Sequence, residues 1–134
     1  MLSTEDMIHW RLHRDTFASR GPADEVDYSD ALLFAPDCIY KDGIYYLYYC
    51  MPDPEYAGGV AVSEDPAGPF TDARPVDLYG RNQIDPGVFV DDDGQAYYIW
   101  GQFSLKMARL KPTMMEIDES TIRDNVLTLS LIHI

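Results

Sequence analysis

Two stretches of the chain carry the same order of apolar and polar positions. The first runs Ala35-Pro36-Asp37-Cys38-Ile39-Tyr40-Lys41-Asp42-Gly43-Ile44-Tyr45-Tyr46-Leu47-Tyr48-Tyr49. The second runs Ile84-Asp85-Pro86-Gly87-Val88-Phe89-Val90-Asp91-Asp92-Asp93-Gly94-Gln95-Ala96-Tyr97-Tyr98-Ile99-Trp100-Gly101. Each opens on a Pro/Asp pair, continues in a β-rich run, breaks at Asp-Gly and resumes in an aromatic run. Asp-Gly between two β-rich runs predicts a hairpin, because the turn needs positive φ, which glycine adopts freely. A shorter strand follows each hairpin, over Gly59-Val60-Ala61-Val62-Ser63 and Leu105-Lys106-Met107-Ala108-Arg109-Leu110. Fourth strands are expected around Phe70-Thr71-Asp72 and Met115-Glu116-Ile117.

Pro36 and Pro86 lie 50 positions apart, and Gly43 and Gly94 lie 51 apart. A repeat of that length built from hairpins has the period of a propeller blade rather than of a helical solenoid. The opening Ser3-Thr4-Glu5-Asp6-Met7-Ile8-His9-Trp10 echoes Ser63-Glu64-Asp65-Pro66-Ala67-Gly68-Pro69-Phe70, and so reads as the outer edge of a preceding blade. The predicted fold is therefore all-β, an incomplete β-propeller of about two four-stranded antiparallel blades plus a remnant of a preceding one. Residues 1–30 are assigned to the end of the first blade and a linker, 31–80 to the second blade, 81–125 to the third, and 126–134 to an atypical tail. Asp118 to Asn125 reads as a crossover toward a further blade. Propellers close with about four to eight blades, and closure removes exposed strand edges. Two blades leave apolar faces that a neighbour should cover. The chain is thus expected to be a fragment of a longer protein, or else to assemble with copies of itself. Leu127-Thr128-Leu129-Ser130-Leu131-Ile132-His133-Ile134 suits neither a closing strand nor a polar cap, and is read as a truncated or frame-shifted end.

Charge narrows the partners. Asp and Glu number 23 against 10 Lys and Arg, a formal net charge of −13, which repels a phosphate backbone and argues against nucleic acid. No apolar run approaches the roughly 18 residues of a membrane span, and the N-terminus lacks the basic-then-apolar layout of a signal peptide. No subcellular location follows from the chain. Two cysteines cannot build a disulfide scaffold. With a two-residue turn at Asp42-Gly43, Cys38 falls opposite Leu47, while Cys50 lies about 10 Å further along and on the other face. Both thiols are expected free. Aromatic residues make up 13% of the chain, ten of them tyrosines, which favour strands and present flat, half-polar faces to ligands.

In a propeller the loops that open the innermost strands supply ligand contacts. Asp37, next to Pro36, and Asp85, next to Pro86, are the polar candidates there. An Asp beside Pro is also ordinary turn chemistry that starts a strand. Two carboxylates at corresponding points of a repeat would be aimed at one axis. Phe34-Ala35-Pro36-Asp37 followed by Asp42-Gly43-Ile44-Tyr45-Tyr46-Leu47-Tyr48-Tyr49 resembles the second blade of family 43 glycoside hydrolases. Gly59-Val60-Ala61-Val62-Ser63 and Asp65-Pro66-Ala67-Gly68-Pro69-Phe70 do so as well, and Ile84 to Gly94 resembles the start of that family's third blade. The resemblance spans about residues 3 to 125. It implies a five-bladed propeller and an inverting hydrolase, of arabinofuranosidase or xylosidase type, acting on arabinose- or xylose-containing glycans. Of that family's three carboxylates only the auxiliary one maps here, onto Asp85, where it would raise the pKa of the acid and orient it. The general base and the general acid map to no residue of this chain, so the isolated chain is expected to be inactive. A non-catalytic carbohydrate-binding or scaffold propeller formed by self-association is the alternative.

Phe34 stands where relatives in that family carry an aromatic facing the bound sugar, and it also suits packing between blades. Asp37 would then accept a sugar hydroxyl or support the funnel wall. Trp100 and Phe103 are expected in the core between blades. Asp91-Asp92-Asp93-Gly94 lacks the spaced oxygens of a calcium loop and reads as a turn. His9 and His13 have no third ligand beside them, and no metal or cofactor is expected. Asp24, Glu25, Asp27 and Asp30 read as a solvated loop.

Overall fold

A computed structural model of the protein describes residues 1–128. It contains ten strands and one 3-10 turn at Glu119–Thr121. The first two strands, β1 (Leu2–Ser3) and β2 (Arg11–Leu12), pair antiparallel. Between them Thr4 and Asp6 cap the turn, the Asp6 carboxylate accepting from the amides of Ile8 and His9.

The first four-stranded sheet is built from β3 (Phe34–Lys41), β4 (Ile44–Cys50), β5 (Gly58–Ser63) and β6 (Thr71–Pro75), in that order. The second holds β7 (Gly87–Val90), β8 (Ala96–Trp100), β9 (Ser104–Arg109) and β10 (Arg123–Thr128), also in chain order. Both are antiparallel meanders, two blades of an unclosed propeller, and the innermost edges β3 and β7 adjoin. The first hairpin has the expected register, Lys41 opposite Ile44 and Cys38 opposite Leu47. The second turn is longer, running from Asp91 to Gln95, with Gly94 at φ 82° and the amides of Asp91 and Gly94 satisfied within the turn. Lys41 Nζ donates to the Gly94 carbonyl at 3.0 Å and ties the two hairpin tips together.

The first aromatic run is buried because its alternate residues serve two cores. Tyr48 with Val60 faces the second sheet, where Ala96, Tyr98, Trp100, Ala108 and Leu110 complete one cluster. Leu47, Tyr49 and Ala61 face the opposite way, onto Val26, Met51 and Phe70. The first sheet is thus covered on both sides. The Tyr48 hydroxyl donates to the Met114 carbonyl at 2.6 Å, a buried link from the first sheet to the segment between β9 and β10.

Three expectations are corrected. Met115-Glu116-Ile117 is no fourth strand; Ile117 makes one isolated bridge to Leu110, and the outer strand is β10. The stretch expected as a crossover, Asp118 to Asn125, therefore folds back: Asp118 caps the 3-10 turn, and the chain then returns along β9. The buried side chains of Met114 and Ile117 anchor this detour in the core, which a local reading of strand propensity does not foresee. Phe103 is exposed rather than in the core, while Trp100 is fully buried. Of the tail expected over 126–134, residues 129–134 lie outside the described residues. Both cysteines are free, as expected.

Candidate functional site

The ends at which β3 and β7 begin share one rim of the two blades. Phe34 at the start of β3 pairs with Cys50 at the end of β4, and the segment leading from Pro75 delivers Asp85 to the start of β7. Phe34 is half exposed, Asp85 is exposed and Pro86 is buried. Ala35 and Asp85 both precede a proline, and both hold left-handed φ, 45° and 51°. For a residue with a Cβ this conformation costs on the order of 1 kcal/mol and persists only where the surroundings fix it. At Ala35 it coincides with a break in the β3–β4 register between Phe34 and Asp37. Such bulges re-aim side chains near functional rims.

This backbone match shows what corresponds between the repeats. Asp85 is the counterpart of Ala35, and Asp37 is the counterpart of Gly87, because the two carboxylates sit on opposite sides of their prolines. The expectation that they occupy corresponding points is therefore corrected. Asp37 is half buried and both its oxygens accept from backbone amides, Oδ1 from Cys38 at 2.9 Å and Oδ2 from Val88 at 2.7 Å. The second bond crosses from the first sheet to the second.

The backbone beside Asp85 is anchored. The Ile84 carbonyl accepts from the Gly101 amide at 2.8 Å. The Cys50 thiol donates to the Phe34 carbonyl at 3.4 Å. Burial pushes that thiol's pKa up.

A cleft of about 690 Å³ opens on the same rim, between the loop after β4 and the segment leading to β7. Met51, Tyr56, Leu78, Arg81 and Gln83 are among the residues lining it; Phe34, Asp37 and Asp85 are not. Gln83 is buried, and its Nε2 donates to the Tyr98 hydroxyl and to the Tyr49 carbonyl. Gly58 makes room for it: a Cβ there would meet Gln83 Oε1 at 1.6 Å. Neither Cys50 nor Gln83 stands out in the sequence, since each matters only through strands brought beside it by folding.

The remaining candidates are placed apart. His9 Nδ1 lies 2.6 Å from Asp6 Oδ2, and His13 Nε2 lies 2.7 Å from Ser3 Oγ. Among the described residues no group of three or more His, Cys, Asp or Glu is placed to hold a metal. Asp91, Asp92 and Asp93 are exposed in their turn. Chemically, the rim carries an exposed carboxylate, Asp85, and a half-exposed aromatic, Phe34: a polar acceptor and a flat apolar surface of the kinds that suit a sugar ring.

The model of the family "Glycosyl hydrolases family 43" matches residues 1–130. A curated relative, "Xylosidase/arabinosidase 43A" of Humicola insolens, is 48% identical over 80 residues, which are 58% of this chain and 24% of that protein. Among solved structures, an α-L-arabinofuranosidase from Clostridium thermocellum superposes with a TM-score of 0.72 at 29% identity, over 96% of this chain and 44% of that one. A β-xylosidase/α-arabinofuranosidase from a compost metagenome, solved with xylotriose, gives 0.59 at 30% identity, over 69% and 37%. The chain spans about a quarter of the length of the first curated relatives it matches.

Proposed function

The chain belongs to family 43 of the glycosyl hydrolases, and from that premise we propose that it forms the second and third blades of an inverting glycosidase acting on arabinose- or xylose-containing glycans. Similar proteins described as xylosidases and arabinosidases support this substrate class, as does a relative solved with xylotriose. The observation that carries the proposal is the presentation of Asp85. It is an exposed carboxylate held in a left-handed conformation at the opening of an innermost strand, on the rim shared with Phe34.

Inversion needs an acid on the leaving oxygen and a base activating water on the opposite face, with the two carboxyls about 6.5–9.5 Å apart. The acid must keep its proton near neutral pH, and a neighbouring carboxylate raises its pKa by like-charge repulsion. Asp85 performs that auxiliary task. Phe34 stacks against the sugar. The base and the acid come from other blades, so this chain alone hydrolyses nothing.

Purified chain mixed with aryl arabinofuranoside and aryl xyloside is expected to release no chromophore, and turnover comparable to a complete relative would refute the division of roles. In amide NMR spectra, xylotriose or arabinotriose is expected to shift Phe34 and Asp85. Perturbation confined to other faces would refute the site.

A further inference from the structure

We propose that Asp37 is a positioning residue for Asp85, acting through the backbone of β7 rather than by touching the sugar; its significance for catalysis rests on the glycosidase reading above. β3 and β7 are the edge strands of their sheets and lie side by side. An edge strand carries amides that its own sheet leaves unpaired. Asp37 answers one of them, its Oδ2 accepting from the Val88 amide at 2.7 Å. Its Oδ1 accepts from the amide of Cys38, which fixes the carboxylate in one rotation.

Three features make this bond a brace for Asp85. Val88 follows Asp85 by three residues, and the intervening Pro86 has a locked φ, so little slack separates them. The approach past Gly87 is uncrowded: even a Cβ there would lie 3.9 Å from Asp37 Oδ2, an ordinary contact distance. The left-handed φ of Asp85 is a conformation that must be held from outside. On its other side Ile84 is held by Gly101, so the Asp37 bond supplies the second point of a two-point clamp. The bulge at Ala35, which interrupts the β3–β4 register just before Asp37, sits where the carboxylate must depart toward the neighbouring sheet. A charge-assisted hydrogen bond of this kind is among the stronger ones available to a backbone amide.

The test uses the isotopically labelled chain and three variants. In Asp37→Ala the Val88 amide is expected to exchange with solvent about tenfold faster or more. The Cα and Cβ carbon shifts of Asp85, which separate helical-type from extended backbone, are expected to move toward extended values. Asp72, another left-handed aspartate on β6, serves as the control and stays unchanged. In Asp37→Asn the amide oxygen still accepts from Val88, so Asp85 returns to its native shifts. Should Asp37→Ala not fold, Asp37→Glu keeps the charge but displaces the carboxylate by a methylene, and the same change at Asp85 is expected. Unchanged Val88 exchange, unchanged Asp85 shifts, equal movement at Asp72, or an Asn variant no better than Ala would each overturn the proposal. A xylotriose titration separates it from the glycosidase reading: failure of the native chain to bind counts against that reading alone. Loss of binding in Asp37→Asn with Asp85 shifts intact would instead identify Asp37 as a sugar contact and overturn the positioning role.

Discussion

A methyl group placed on Gly58 tests how the segment carrying Asp85 is held. The built Cβ lies 1.6 Å from Gln83 Oε1, 2.3 Å from its Cδ and 2.4 Å from its Nε2. Gly58 does not have positive φ, so the penalty is steric rather than conformational. Ordinary contact distances require the amide to withdraw by roughly 2 Å. Gln83 is buried, and withdrawal breaks its bonds to the Tyr98 hydroxyl and the Tyr49 carbonyl. Overpacking costs about 1–3 kcal/mol, and orphaning buried polar partners costs about 1–3 kcal/mol more. Gly58→Ala should therefore lose about 2–6 kcal/mol, a large share of the usual margin of about 5–15 kcal/mol. Urea denaturation reads this as a lower midpoint at constant m. Gln83→Ala alone loses the same hydrogen bonds but removes the collision. The double variant should then be little worse than Gln83→Ala, with a coupling of about 1 kcal/mol or more. If the two losses add to within about 0.5 kcal/mol, the packing of Gln83 against Gly58 is refuted.

Two further outcomes follow from the core. Tyr48→Phe removes the donor to the Met114 carbonyl, a bond tying the first sheet to the segment between β9 and β10, and should cost about 1–3 kcal/mol, or roughly 3–10 °C in Tm; an unchanged melting curve would show that the link contributes nothing. Burial raises the Tyr28 hydroxyl to about 12 and pushes Tyr48, Tyr49 and Tyr98 up as well. The folded state then holds these protons more tightly than the unfolded chain, whose tyrosines ionise near pH 10. Their contribution to stability is complete below about pH 10 and is lost as pH rises through 12 and beyond. Tyrosinate absorbance followed alongside circular dichroism should show these residues ionising together with unfolding. Smooth ionisation of all ten with the fold intact would contradict their burial.

Much of the architecture was legible because it is local. Asp42-Gly43 dictates a two-residue turn, and the register of the first hairpin follows from counting outward from it. The pair of aromatic runs, 50 or so residues apart, gives two sheets of like order, and the family membership agrees with the resemblance carried by those runs. Strand openings in such a repeat point to Asp37 and Asp85, and the family resemblance points to Phe34 and Asp85.

What folding alone decided concerns groups far apart in the chain. The fourth strand of the second sheet moved from Met115–Ile117 to Arg123–Thr128 because burial of Met114 and Ile117 outweighed local strand propensity. The carboxylate of Asp37 was aimed at Val88, 51 residues away, by a bulge whose left-handed residue is an alanine, a type that carries no such signal. The pairing of Gln83 with Gly58 and the bond from the Cys50 thiol to the Phe34 carbonyl likewise exist only once segments distant in the chain are folded together. Turn chemistry and alternation act over a few residues, and so can be read from order alone. The direction of a side chain across an interface depends on backbone angles that the whole packed structure sets.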